Sequence, residues 1–294
     1  MDIKRTVLWV IFALSVVMLF DNWQRGNGHS SLFFPSAEVS TPAATGGNQT
    51  PANDLPQAAN AAAAAGSAPG NAPAAAAAQK VRITTDVYEA DISTQGGTLS
   101  FLALTKWPDA DEADKHVVLF DNTPSHQYFA RTGLIGGDFP NHNDIFTQVP
   151  GPTTLTGDSL TVKFESPVKG GLQLVRAYTF HRGSYVIDVS NTIVNKTDAA
   201  IKPTLYMELV RDGREISGAK FSHTFTGPTV YSSDEKFQKV TFSDIDKDKA
   251  KYVKQSSDGW IGMVQHYFAT AWIPKEGATR DNYIGKLDNG LYRV

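Results

Sequence analysis

Seven histidines, two adjacent carboxylates beside a lysine, and an aromatic run near the C-terminus are the residues with most chemical potential. The histidines (His29, His116, His126, His142, His181, His223 and His266) are scattered, with no His-x-x-x-His pair and no acidic partner at ligand spacing. No metal site is expected, because ligand clusters usually show themselves in spacing. Asp234, Glu235 and Lys236, within "SDEKF", hold the residue types of an acid/base pair. Adjacent carboxylates without apolar neighbours rarely have raised pKa values, so a charged turn before a strand at Lys239 is expected instead. The sequence has no Gly-x-Ser-x-Gly elbow, no phosphate-cradling glycine loop and no dinucleotide fingerprint. With no cysteine, it can form no disulfide, thiolate zinc site or thiol nucleophile. Asn48-Gln49-Thr50 and Asn195-Lys196-Thr197 match a glycosylation pattern that matters only in a eukaryotic secretory pathway. No catalytic residue and no cofactor is expected.

The aromatic run is "DGWIGMVQHYFATAWIPKEG", Asp258 to Gly277. Trp260, Met263, Val264, Tyr267, Phe268, Ala271 and Trp272 fall at helical spacing. Gly262 and the β-branched Ile261, Val264, Thr270 and Ile273 oppose a helix, and the basic face of a membrane-surface helix is missing. Entry at Gly259, exit at Pro274 and the aromatic content favour two strands turning near Gln265-His266. Large aromatics dominate core energetics, so Trp260, Phe268 and Trp272 are expected in the core of a sandwich rather than on a docking surface.

These side chains need a scaffold, and the 294 residues allow one or two domains. Hydrophobic residues make up 41% and charged residues 19%, with a net charge of −3, so no global field favours nucleic acid. Lys247, Lys249, Lys251 and Lys254 alternate with Asp244, Asp246 and Asp248, as on a solvated face.

From residue 80 the pattern has period two. Val81, Ile83, Thr85 and Val87 alternate, the chain turns at Gly96-Gly97, and Leu99, Phe101 and Leu102 resume. A second turn at Lys169-Gly170-Gly171 leads to a strand through Leu172, Leu174, Tyr178 and Phe180. Arg182-Gly183 turns it again, and Tyr185, Ile187, Val189 and Ile193 share the next apolar face. "PTLYMELV", "HTFTGPTVYS" and "KVTF" are further β-like runs. No helical pattern is sustained between 81 and 250, so residues 80–294 are expected to form one large antiparallel sandwich or barrel.

The N-terminus is different. Lys4 and Arg5 precede an uncharged apolar run from Thr6 to Phe20 that includes Trp9, and Asp21 closes it. As a helix this run spans roughly 22 Å, and Trp23 at one interface with the Lys and Arg stems at the other makes up the deficit. No small-x-small cleavage site follows, which favours an uncleaved transmembrane anchor over 6–23 with residues 1–5 in the cytoplasm. Residues 24–79 then read as a disordered Ala/Pro-rich linker, reaching about 40 Å as a flexible coil.

Four stretches resemble the YidC membrane-protein insertases of Gram-negative bacteria. They are "MDIKRTVLWVIFALSVVMLFDNW" with its low-complexity linker, "TDVYEADISTQGGTL", "GPTVYSSDEKFQKVTF", and the aromatic run with its "YFATAWIP". Gly96, Gly97, Asp234, Glu235, Lys236, Trp260, Tyr267, Phe268, Trp272 and Pro274 fall within them, as signature positions expected to be structural. The resemblance implies an inner-membrane anchor and a periplasmic β-supersandwich similar to galactose mutarotases. It also implies a non-enzymatic role with nascent inner-membrane proteins, the Sec translocon and the lipid bilayer as partners, and no cofactor. In that family a further five-helix region performs insertion through a water-filled groove. This sequence stops at Gly290–Val294, inside the periplasmic domain, so a fragment without groove residues is expected, with an unpaired sheet edge where strands are lost. The competing reading is a sugar-binding or sugar-active periplasmic protein of mutarotase-like fold, which rests on fold analogy alone.

Overall fold

The computed structural model describes residues 54–56, 77–109, 112, 114–214, 224–265 and 267–294. The anchor expected at 6–23 and most of the linker expected at 24–79 lie outside the described residues. Among the described residues, no helix is long and apolar enough to cross a membrane.

The chain forms β1 (Lys80–Thr84), β2 (Tyr88–Ser93), β3 (Thr98–Pro108), β4 (His116–Thr123), β5 (His126–Ile135), β6 (Thr147–Gln148), β7 (Ser159–Glu165), β8 (Leu172–His181), β9 (Ile187–Asn195) and β10 (Thr204–Arg211). After these come β11 (Thr226–Ser232), β12 (Lys236–Lys239), the short helix α1 (Phe242–Asp246), β13 (Gln255–Ser256), β14 (Trp260–Gln265), β15 (Phe268–Trp272), β16 (Arg280–Asp281), β17 (Gly285–Lys286) and β18 (Tyr292–Arg293). The largest sheet has eight strands in the order β1-β2-β3-β4-β5-β10-β18-β17. Two four-stranded sheets, β6-β7-β8-β9 and β12-β11-β14-β15, and a ribbon of β13 and β16 complete the β-sandwich. All pairings between named strands are antiparallel, as the glycine-punctuated alternation predicts.

Alternation also selects the inward faces. Leu160, Val162 and Phe164 of β7 and Leu172, Leu174, Tyr178 and Phe180 of β8 are buried, while their sequence neighbours are exposed or half-buried. Tyr178 donates to the Gly97 carbonyl at 2.6 Å, and Tyr88 meets Phe180 edge-on, so this sheet packs on the largest one. The inner face of β9 is only half-buried, and Tyr185 and Ile193 are exposed, because β9 is an edge strand with no neighbour beyond it.

One expectation changes. The β-like run Lys239–Phe242 is not a strand: β12 ends at Lys239, and Thr241 accepts from the Asp244 amide at 3.0 Å to cap α1. The last strand is not itself a sheet edge, although β17 beside it is. β18 lies between β10 and β17, and the amide and carbonyl of Val294 both pair with Leu209 at 3.0 Å. The edges of the largest sheet are β1 and β17.

Candidate functional site

The aromatic run folds as the hairpin of β14 and β15, with Ile261 opposite Trp272 and Gln265 opposite Phe268. The two-residue pleat therefore places Phe268, Thr270 and Trp272 on one face with Ile261, Met263 and Gln265. That face docks on the largest sheet. Phe268 and Trp272 are half-buried against the core, the Tyr128 hydroxyl contacts the Thr270 hydroxyl, and Phe268 meets Trp107 edge-on. Arg211 donates from Nη1 to Gln265 Oε1 at 3.0 Å and lies over the Tyr128 ring. Burial lowers the pKa of Arg211 and pushes the Tyr128 hydroxyl up to about 12.

Trp260 was expected beside Phe268 and Trp272 in the core, and the pleat sends it to the opposite face. There it stacks on Tyr231 and tilts against Phe237, which is 46% exposed, and all three lie on the outer surface of the small sheet. Tyr267, at the hairpin tip, is 79% exposed, and Pro274 follows the end of β15 half-buried. Asp234 and Glu235 lie in the exposed turn between β11 and β12 and Lys236 opens β12; the Glu235 amide donates to Ser232 Oγ and Lys236 Nζ donates to the Ser233 carbonyl. Among the described residues, no group of three histidine or carboxylate side chains is arranged to hold a metal ion.

Gly96 and Gly97 have a structural task. Both have left-handed φ angles, +67° and +56°, and a Cβ on Gly96 would sit 2.6 Å from the His142 backbone. Their carbonyls accept from Arg176, a fully buried residue on the inward face of β8. Arg176 also donates to the Thr132 carbonyl at 3.0 Å and to Asn191 Oδ1 at 2.9 Å, so one guanidinium ties a turn, β5 and β9 together. Sequence reading passed over it because it occupies an apolar face in the middle of a strand.

A third buried arginine organises a polar cluster on the other face of β5 and β10. Arg131 Nε donates to Glu208 Oε1 at 2.5 Å, and Arg131 Nη2 lies 2.9 Å from Asp54 Oδ2. His142 Nε2 lies 3.0 Å from Asp54 Oδ1, its Nδ1 contacts the Tyr206 hydroxyl, and Arg293 Nη1 donates to the Asp54 carbonyl at 2.9 Å. Burial opposes ionisation of Asp54, but the His142 contact and the Arg131 charge outweigh it and hold the carboxyl well below the usual carboxylate range. Asp54 belongs to the stretch read as a linker, and its partners are 77 or more residues away, so spacing gave no sign of the cluster.

With this geometry in view, residues 80–294 match the family described as "YidC periplasmic domain". The whole chain is 57% identical to "Membrane protein insertase YidC" of Burkholderia cenocepacia, covering 54% of that protein. It is 56% identical to the protein of the same name in Burkholderia multivorans and 55% identical to that of Paraburkholderia xenovorans, with the same coverage. The chain spans about half the length of the curated relatives it matches. These matches lend no support to the sugar-protein reading.

Proposed function

The chain belongs to the YidC family of membrane-protein insertases, and from that premise we propose that it is the anchored periplasmic docking module of such an insertase. Residues 6–23 hold it in the bacterial inner membrane with Lys4 and Arg5 on the cytoplasmic side, residues 24–79 act as a tether, and the sandwich meets its partners in the periplasm. Those partners are nascent inner-membrane proteins and components of the Sec translocon. The role is one of docking and holding, without turnover, cofactor or nucleic acid.

The observation that carries this reading is identity above half along the entire chain to proteins named as insertases. The geometry agrees with it. The buried arginines are spent on hydrogen bonds and ion pairs within the fold, whereas Phe237, Trp260 and Tyr267 face outward where a partner can reach them. Aromatic side chains on a surface are the usual anchors of protein interfaces.

The test is photo-crosslinking from Phe237 or Tyr267 in cells producing this chain. Adducts with newly made inner-membrane proteins or translocon subunits are expected. Their absence from both positions, with the sandwich folded, would contradict a docking role.

A further inference from the structure

Between Val39 and Gln79 the sequence holds one charged residue, Asp54, and one large apolar residue, Leu55, side by side and followed by Pro56. The rest of that stretch is small or polar and uncharged, with little to bind anything. Asp54, Leu55 and Pro56 are seated on the sandwich, each half-buried. The one charged and the one large apolar side chain of the stretch therefore both contact the fold.

The socket that receives them is built from separate parts of the fold. Arg131 comes from β5, His142 from the loop between β5 and β6, and Arg293 from β18. Arg131 and His142 are 7% and 4% exposed. Two guanidinium charges face one carboxylate, Glu208, which takes Arg131 at 2.5 Å and lies 3.9 Å from Arg293. Before Asp54 arrives the socket therefore carries an excess positive charge, and an unpaired charge in such a place is costly. Asp54 supplies the missing anion to Arg131 and His142, while its backbone carbonyl takes Arg293.

We propose that Asp54–Pro56 is a latch: the chain's own linker plugs a carboxylate socket formed by Arg131, His142 and Arg293, and so fixes where the tether ends. The socket's ligand is an acidic residue followed by an apolar residue and proline, in the same chain. The consequence for reach rests on the anchor reading above. With the latch closed, residues 24–53 alone separate anchor from domain, and a flexible coil of that length spans about 30 Å instead of about 40 Å.

The chain has no cysteine, so paired spin labels can be placed without background. The experiment uses the full chain in lipid nanodiscs with labels on N53C and D288C, read by double electron–electron resonance. A single narrow distance distribution is expected. D54A in the same background should at least double its width, while E38Q, which removes the other acidic residue of the linker, should leave it narrow. Circular dichroism melts report whether the sandwich is intact in each variant. A broad distribution in the parent pair, or an unchanged narrow one in D54A, would overturn the latch. This readout does not require insertase partners, so its failure is separate from failure of the docking role.

Discussion

Trp272 carries a buried indole N–H with no hydrogen-bond partner, although its ring packs against the core. Its contribution is therefore apolar contact, partly offset by an unsatisfied donor. W272A should destabilise the sandwich by about 2–4 kcal/mol, less than for a fully buried tryptophan. W272F, which removes the orphan donor and keeps an aromatic ring, should cost less than about 1.5 kcal/mol. Denaturant melts of the two variants check this, and equal losses would show that the indole N–H is satisfied. At this scale the sequence was readable where apolar side chains follow the pleat and unreadable where a polar one takes an inward position. Leu172, Leu174, Tyr178 and Phe180 declared their face, but Arg176 sits on that same face, held by backbone carbonyls distant in sequence and by Asn191 of the next strand. Asp54 and His142 were invisible as a pair for the same reason.

The β14–β15 hairpin shows what element-level reading achieves. Its strand ends and turn follow from glycine, proline and β-branched content, and the structure places them at Trp260–Gln265 and Phe268–Trp272. Placing Trp260 in the core with Phe268 and Trp272 rested on aromatic content alone, but Ile261, not Trp260, lies opposite Trp272, so the two tryptophans take opposite faces. Trp260 faces out and Trp272 faces the core. Turns are the other informative elements. Gly96 combines a left-handed backbone with a close approach to the His142 backbone, whereas Gly157 has open space around its Cα. G96A should therefore cost about 2–3 kcal/mol, and G157A should be neutral or slightly stabilising. Thermal melts giving the two variants equal stability would contradict the structural role of the Gly96-Gly97 turn.

At the scale of the whole molecule, period-two patterning between glycine turns was enough to identify an antiparallel β-sandwich, and four short stretches were enough to identify the family. Strand order was not legible. Nothing local announces that β10 pairs with β5 or that β18 enters between β10 and β17, since these contacts join residues far apart in sequence. The proposed function joins a sandwich whose buried arginines are held in structural pairs to an N-terminal segment proposed to keep it at the membrane surface. The most direct test is fractionation of cells producing the chain, with intact-mass analysis of its N-terminus and protease treatment from the periplasmic side. The account predicts an inner-membrane species that retains residues 1–23 and whose sandwich is reached by protease only from the periplasm. A soluble species beginning after residue 20 would contradict it.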